Sequence, residues 1–330
     1  MKHRNAHKQV QGTIASSVIG DLQRYVRVGQ FTAVGLAVWA CLSNHGRAAA
    51  SEPPHPESSL QHFATIDFET GDWPERLSQP RAGHRAEIVV DPDDQENHAL
   101  RVTFLRGTHY GASMHIPLRD ADGVEPREAM LRYRIRFDPG WHTSSSGKLP
   151  GFSGTYGRAG WGGRPSDGYN GWSVRGMFSP TVAADPDHGQ SHTPIGAYIY
   201  HVGIQQTRPG SVYGEGLSYH SQSRPDGDPP MPLEHGRWYI VEQYVKLNSI
   251  SKDAANDTEP HDGPGLADGV IRARINGVLA IERTNLVFRH TDALRIQSVW
   301  LDFYHGGKNP APSDMVVFID DLEIFVGDNK

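Results

Sequence analysis

Two short segments combine aromatic, basic and hydroxyl side chains at a spacing that could support proton transfer. They read Gly171-Trp172-Ser173-Val174-Arg175-Gly176-Met177-Phe178 and Ala197-Tyr198-Ile199-Tyr200-His201. Side chains two positions apart on a β-strand point to the same face. Ser173 therefore shares a face with Arg175, and Tyr198 shares one with Tyr200. If these strands are neighbours and the loop over residues 147–151 lies beside them, Lys148 joins a cationic, phenol-bearing face that has no carboxylate.

Such a face suits the elimination chemistry of a carboxylated sugar. Removal of the C5 proton beside a carboxylate creates negative charge, which fixed arginine and lysine charges stabilise. A tyrosine has an ordinary pKa near ~10, and neighbouring cations lower it, so a phenol can serve as base, as acid or as both. Hydrolysis by a pair of carboxylic acids fits this face poorly.

The elements that would position these residues are short strands. The chain has 330 residues, 36 of them glycine and 23 proline, with 37% hydrophobic residues. Short β-like runs alternate with turn residues from Phe63 onward, and no long helical periodicity appears. Asn276-Gly277 between two such runs predicts a tight hairpin. We therefore expect an all-β fold, an antiparallel β-sandwich of jelly-roll type, as one domain over residues 63–330.

The first fifty residues have the features of an export signal. Arg24 and Arg27 precede an apolar run over residues 31–42, and Ala48-Ala49-Ala50 offers a small-residue cleavage site. A flexible leader over residues 51–62 follows. This predicts a signal peptide over residues 1–50, a periplasmic or secreted protein and no stable membrane association. An uncleaved anchor, or a lipoprotein attached at Cys41, are the alternatives.

Cleavage after Ala50 would change both the cysteine content and the charge. Cys41 is the only cysteine, so the mature chain would have no disulfide and no thiolate metal site. The segment also contains six basic residues and one acid, so its loss shifts the formal net charge from −6 to −11. Nucleic acid is therefore excluded as a partner. An anionic polysaccharide could bind only where a local basic cluster reverses the field.

The order of the motifs resembles polysaccharide lyase family 14. The similarity covers about residues 130–326 and implies a β-jelly roll with alginate or glucuronan lyase activity, without a catalytic metal or cofactor. The motifs are Lys148-Leu149-Pro150-Gly151, Trp172-Ser173-x-Arg175-x-Met177-Phe178, Tyr198-x-Tyr200, Gly236-Arg237-Trp238 and Tyr244-Val245-Lys246-Leu247-Asn248.

The resemblance also implies five catalytic residues. Lys148 and Arg175 would bind and neutralise the substrate carboxylate. One of Tyr198 and Tyr200 would serve as base, acid or both, and which tyrosine does which stays open. Ser173 would orient the substrate or a tyrosine.

Further residues extend the predicted substrate site. Five residues are predicted to bind substrate, either from later strands of the chain or, in the case of histidine, from a loop: Gln243, Lys246, Arg272, Arg274 and His305. No metal-binding motif is present, although a structural cation near Asp320 is an option. We expect a monomer.

Two other functions stay open. A non-catalytic carbohydrate-binding jelly roll would keep the groove without the chemistry. A glycoside hydrolase would need a pair of acids, which the predicted face lacks.

Overall fold

The computed structural model describes residues 59–184, 189–219, 232–251 and 262–327, which belong to a unit that spans Pro53–Lys330. These residues form fifteen strands and one short helix, α1 (Ile204–Thr207). The strands are β1 (Gln61–Ile66), β2 (Ala86–Val90), β3 (His98–Phe104), β4 (Tyr110–Pro117), β5 (Glu128–Phe137), β6 (Gly147–Gly154), β7 (Trp172–Phe178), β8 (His192–Tyr200), β9 (Glu215–Ser218), β10 (Pro232–Glu234), β11 (Tyr239–Lys246), β12 (Gly269–Ile275), β13 (Val278–Leu286), β14 (Ser298–His305) and β15 (Met315–Val326).

The strands make two antiparallel sheets, which confirms the predicted all-β jelly roll. In the part of the chain that is described, the back sheet runs β13-β12-β11-β5-β15-β3-β2, with β1 also paired to β15. The front sheet runs β10-β8-β7-β6-β14-β4, with β9 also paired to β8. Strands far apart in sequence are neighbours in both sheets, as in other sandwiches with crossover connections.

One apolar core fills the space between the sheets. On β14 the inward residues Val299, Leu301 and Phe303 are fully buried, and Val174 of β7 and Ile199 of β8 face the same core. The side chains between them point to the outer face of the front sheet, because successive residues on a strand alternate. The core therefore fixes which residues of the front sheet face outward.

Strand β6 corrects one prediction, because Lys148 lies on a strand and not in a loop. Every residue of β6 is buried, so the strand has no alternation of apolar and polar positions that could reveal it. Pro150 sits where the β6–β7 register shifts, between Leu149 and Gly151. Proline lacks the N–H that a regular ladder needs and is tolerated at such irregularities.

The hairpin at Asn276-Gly277 is present between β12 and β13. Asn276 has φ 49° and Gly277 has φ 77°, the two positive values that a type I′ turn requires.

The amino-terminal predictions lie largely outside the described residues. The signal peptide over 1–50 falls there, as do residues 51–58 of the predicted leader. The end of that leader is a strand, because β1 begins at Gln61. Among the described residues no helix has the length and apolar character needed to span a bilayer.

Candidate active site

The outer face of the front sheet brings the predicted catalytic residues together. The register pairs Arg175 on β7 with Tyr198 on β8, and Ser173 with Tyr200. On the other side of β7, Lys148 of β6 is paired with Met177. The two segments first selected from the sequence are thus adjacent strands.

Arg175 reaches across β6 to a carboxylate that the sequence did not predict. Its Nη1 donates a hydrogen bond of 2.7 Å to Oδ2 of Asp302 on β14, and both side chains are buried. The residue between them on β6 is Gly151, where an added Cβ would lie 2.6 Å from the Cα of Arg175. Glycine at this position therefore lets β6 lie close against the backbone of β7.

The guanidinium of Arg175 is held by aromatic rings as well as by Asp302. It lies 4.7 Å from the ring centre of Trp300 and 6.0 Å from that of Tyr200. Contacts of a cation with ring faces are favourable and strengthen when water is excluded. The predicted absence of a carboxylate from this face is therefore wrong, since Asp302 lies on it and fixes Arg175.

Lys148 is a buried cation in an environment that favours its neutral form. Its Nζ lies 3.8 Å from the ring centre of Tyr198, and the residue is 8% exposed. Burial, and then the nearby charge of Arg175, lower the pKa of Lys148 from 10.5 to about 7, against a smaller opposing effect of Asp302. Among the described residues no carboxylate lies within ion-pair distance of Lys148.

The two tyrosines differ in their access to solvent. Tyr198 is half-buried, whereas Tyr200 is 1% exposed and lies against Gly214. Their rings meet edge to face with centres 5.7 Å apart. Burial, and then the neighbouring Tyr198, raise the pKa of Tyr200 well above its ordinary value. Tyr200 is therefore a stable phenol at neutral pH.

These side chains form part of the floor of a large cleft. The cavity has a volume of about 1150 Å³, which is large for a ligand site. Among the described residues, five basic side chains line it and Asp302 is the one carboxylate. The basic residues are Arg81, Arg119, Lys148, Arg175 and Lys308. The cleft is thus a locally cationic region in a chain whose formal net charge is −6.

Ser173 shares the outer face with Arg175, as the alternation predicts, but it does not line the cleft. Its Oγ donates a hydrogen bond of 2.6 Å to the carbonyl of Gly160, and the side chain is fully buried. The loop between β6 and β7 covers this end of the sheet. The position of Ser173 favours a role in holding this loop in place, whereas the sequence predicted that Ser173 orients the substrate or a tyrosine.

Two of the predicted substrate-binding residues lie inside the protein. Gln243 is on the inner face of β11, 4% exposed, and its Nε2 would be 3.2 Å from a Cβ added to Gly176. His305 is fully buried, with its ring nitrogens hydrogen-bonded to Thr143 and to the carbonyl of Asn309. Both predictions are wrong. Side chains alternate between the two faces along a strand, and those of Gln243 and His305 point to the core and not to the cleft.

The other three lie on the back sheet. Arg272 and Arg274 do share one face of a strand, as predicted, but it is the outer face of β12, where Arg272 pairs with Glu282 at 2.5 Å. Lys246 ends the neighbouring strand β11 and is exposed. The core separates this face from the cleft, so these predictions are also wrong.

Sequence reasoning missed the contribution of β14 and β4 to the cleft. Trp300, Asp302 and Tyr304 alternate with the apolar residues of β14, and Tyr110 and His115 line the cleft from β4. The polar alternation in β14 was a usable signal. The pairing of β14 with β6 was not visible, because these strands are about 150 residues apart in the sequence.

Protein side chains contact Asp320, the acidic residue near the carboxyl terminus for which a structural cation was an option. Asn97 and Arg134 contact the carboxylate of Asp320, whose pKa burial raises to about 6. In the ranges that the structure describes, no group of three or more histidine, cysteine, aspartate or glutamate side chains is arranged to hold a metal ion.

Comparison with solved structures shows that the fold is similar to that of several alginate lyases. The sequence matches no family model, and no curated protein is similar enough to count as a match. The resemblance to polysaccharide lyase family 14 is confirmed as a likeness of fold.

Three alginate lyases illustrate this likeness. The Chlorella virus alginate lyase vAL-1 is 17% identical with a TM-score of 0.58, and the match covers 81% of this chain and 100% of that one. A double variant of alginate lyase Aly36B, in complex with an alginate tetrasaccharide, is 21% identical with a TM-score of 0.54 over 81% and 96%. The family 14 alginate lyase of Aplysia kurodai is 17% identical with a TM-score of 0.54 over 76% and 91%.

Proposed function

We propose that the chain is a polysaccharide lyase that cleaves a uronate-containing polymer by β-elimination. The observation that carries this proposal is the state of Lys148. A buried lysine whose pKa is about 7, with no carboxylate of the described residues within ion-pair distance, is a base at neutral pH in a cleft of cationic character. The fold shared with three alginate lyases supports the same conclusion.

Lys148 is the general base in this proposal. Its neutral Nζ removes the C5 proton of the uronate, and the electron pair forms the C4–C5 double bond. The sequence resemblance implied that Lys148 neutralises the substrate carboxylate, but the lowered pKa favours the base. Arg175 stabilises the negative charge that develops on the carboxylate, and Asp302 holds the guanidinium in place.

Tyr198 is the proton donor in this proposal. The C4–O bond breaks as the double bond forms, and the leaving oxygen takes the proton of the phenol. Tyr198 lies under Lys148 and is half-buried, whereas Tyr200, which also lines the cleft, is 1% exposed. Tyr200 then supports Tyr198 through the contact between the two phenols. Proton transfer from the protonated Lys148 to the phenolate of Tyr198 between turnovers would restore both groups.

The substrate is an anionic polymer such as alginate or a glucuronan. Among the described residues, four cationic side chains besides Lys148 line the cleft with one carboxylate and attract a polyanion to it, although the chain as a whole is acidic. The complex of Aly36B with an alginate tetrasaccharide makes alginate the first polymer to test.

The two alternatives are weaker on specific grounds. A glycoside hydrolase uses two carboxyl groups about 5–10 Å apart. Among the described residues Asp302 is the one carboxylate in the cleft, and it is paired with Arg175. A non-catalytic binding protein would not need a desolvated lysine, which destabilises the fold.

We also propose that the protein is exported to the periplasm or secreted. The support is the basic residues Arg24 and Arg27, the apolar run over 31–42 and the alanines at 48–50. A polymeric substrate outside the cell fits this location. Amino-terminal sequencing of the mature protein would test it.

A panel of polymers tests the activity. Wild-type protein and Lys148→Ala are incubated with polymannuronate, polyguluronate and glucuronan, and both ultraviolet absorbance from the new double bond and reducing ends are measured. We expect both signals with wild type on at least one polymer and neither with the variant. Reducing ends without absorbance would indicate hydrolysis, and calorimetric binding without product would indicate a binding protein. Either result would overturn the proposal.

A further inference from the structure

One end of the cleft carries a group of stacked rings, of which Trp300 contacts a residue of the proposed mechanism, Arg175. We call it the aromatic shelf and define it by residues of β4, of β14 and of the segments that precede β2 and β4: His84, His109, Tyr110, His115, Trp300 and Tyr304. His115 stacks on Trp300 with ring centres 5.3 Å apart and planes 19° apart. Tyr110 and Tyr304 meet at 4.8 Å. His84 stacks on Tyr110 and His109 on Tyr304.

Hydrogen bonds fix the orientation of several of these rings. Nε1 of Trp300 donates to Oγ of Ser113 at 2.9 Å, and Nδ1 of His115 is 3.0 Å from Oγ of Ser298. The Nδ1 of His84 accepts from the backbone N–H of Ser113 at 3.1 Å. Rings held in this way lose little conformational freedom when a ligand binds, so the shelf is preorganised.

The shelf is open to solvent at its outer end. Tyr110 is 48% exposed, and Arg81 and Lys308 beside it in the cleft lining are also exposed. Aromatic side chains offer an apolar face together with a polar edge or tip. The combination of ring faces and flanking cations matches a pyranose ring that carries a carboxylate.

The shelf lies on the opposite side of Lys148 from the two tyrosines. Tyr304 is paired with Lys148 across β14 and β6, and Tyr110 is paired with Tyr304 on the next strand. Tyr198 lies two strands from Lys148 in the other direction. From β8 to β4 the floor spans four strand spacings of about 4.8 Å, or roughly 19 Å. This length exceeds that of one sugar ring, so sugar units next to the reacting one would also lie on the floor of the cleft.

We propose that the aromatic shelf is a saccharide subsite that binds a uronate ring next to the reacting sugar. The ring stacks on Tyr110 and Tyr304, while Arg81 and Lys308 contact its carboxylate. The proposal rests on the proposed lyase function for the identity of the sugar. The geometry of the shelf stands independently of the reaction.

The test measures binding apart from catalysis. Isothermal titration calorimetry compares the Lys148→Ala variant with the double variant Lys148→Ala/Tyr110→Ala. The ligands are mannuronate, guluronate and glucuronate oligomers of two to six units. We expect Tyr110→Ala to weaken binding of the longer oligomers about tenfold, and binding of the dimers less. The matched control is Tyr169→Ala, because Tyr169 is 49% exposed and lies outside the cleft lining.

A second comparison separates the ring from the charges. A neutral glucose oligomer replaces the uronate oligomer, and Arg81→Ala is added to the variants. We expect Arg81→Ala to weaken the uronate oligomer selectively. Equal binding of the long uronate oligomers by Tyr110 and Tyr110→Ala would overturn the shelf proposal, even if the wild type is an active lyase. Absence of lyase activity together with a Tyr110-dependent affinity would overturn the proposed function and leave the subsite standing.

Discussion

The outer faces of the two sheets carry similar residue types and differ in how charge is compensated. On the back sheet, arginines and carboxylates alternate across neighbouring strands. Arg132 lies 2.8 Å from Glu323, and Arg134 lies 3.2 Å from Asp320. On the front sheet, Lys148 has no carboxylate partner among the described residues. Arg175 is paired with Asp302, which is the one carboxylate among the described residues that line the cleft.

The difference shows why basic residues on a strand are a poor guide to a site. Exposed ion pairs contribute little and keep ordinary chemistry, because water screens them. The back sheet pairs its arginines with carboxylates, at partly exposed positions for Arg132 with Glu323 and against the buried Asp320 for Arg134. The front sheet buries its lysine beside another cation, which moves the pKa of the lysine into the working range. We infer that the reactive face is marked by a basic side chain that is buried without a carboxylate partner.

The largest expected effect separates two lysines. Lys148→Met removes the proposed base and should lower kcat by a factor of about 10² to 10⁴ or more. Lys246→Met is the matched control on the back sheet, where the lysine is exposed, and should leave kcat unchanged. Initial rates of double-bond formation measure both. Equal losses in the two variants would end the distinction between the faces.

The next effect separates the two tyrosines. Tyr198→Phe removes the accessible phenol and should reduce kcat about 10²-fold or more. Tyr200→Phe removes a phenol that is 1% exposed and should reduce it less, by about tenfold. The same rate assay, with circular dichroism as a check on folding, measures both. A larger loss for Tyr200→Phe would reverse the assigned roles.

Which catalytic residues share a strand face was predictable from the sequence, whereas the adjacency of the two strands was an assumption and the carboxylate partner of Arg175 was not foreseen. Alternation with period two placed Ser173 with Arg175 and Tyr198 with Tyr200 from local pattern alone. Asp302 is 127 residues from Arg175, and only the register of strands β6, β7 and β14 brings the two together. No local pattern encodes that register.

The same limit explains the errors at the edge of the site. Gln243 alternates with residues of the other face of β11, and the sequence does not say which face meets the core. Arg272 and Arg274 are on one strand face, as predicted. Their strand β12 belongs to the back sheet, however, so this face is not the one that forms the cleft. Strand β6 escaped prediction because it is buried on both faces and contains Pro150 and glycines.

Two charge variants should move the pH dependence in opposite directions. The proposed base acts when Lys148 is neutral, so kcat/KM should rise with pH through about 7, the pKa of Lys148. Asp302 raises this pKa, so Asp302→Asn should move the rise to lower pH. Arg175 lowers the pKa of Lys148, so Arg175→Gln should move the rise to higher pH, apart from its loss of rate.

Profiles of kcat/KM between pH 5 and pH 9, taken under conditions where each variant stays folded, give the directions. Glu323→Gln is the matched control, because it removes the carboxylate partner of Arg132 on the back sheet. We expect no displacement of its profile. Displacements of the same sign in Asp302→Asn and Arg175→Gln would show that Lys148 is not the titrating base.

The smallest expected effect is on stability, and it has the opposite sign to the effect on rate. The pKa of Lys148 is depressed from 10.5 to about 7 in the folded protein. Below pH 7 the folded state therefore holds a buried charge that the unfolded state exposes to water, and the resulting penalty disappears as the pH rises toward 10.5. Lys148→Met keeps a side chain of similar length without the charge, so we expect Tm to rise by about 5 °C at pH 6 and by much less near pH 10.5.

Lys246→Met should change Tm little at either pH, because the exposed lysine carries no such penalty. A lower Tm for Lys148→Met at pH 6 would mean that the lysine stabilises the fold, and the contrast between the faces would then not arise from uncompensated burial.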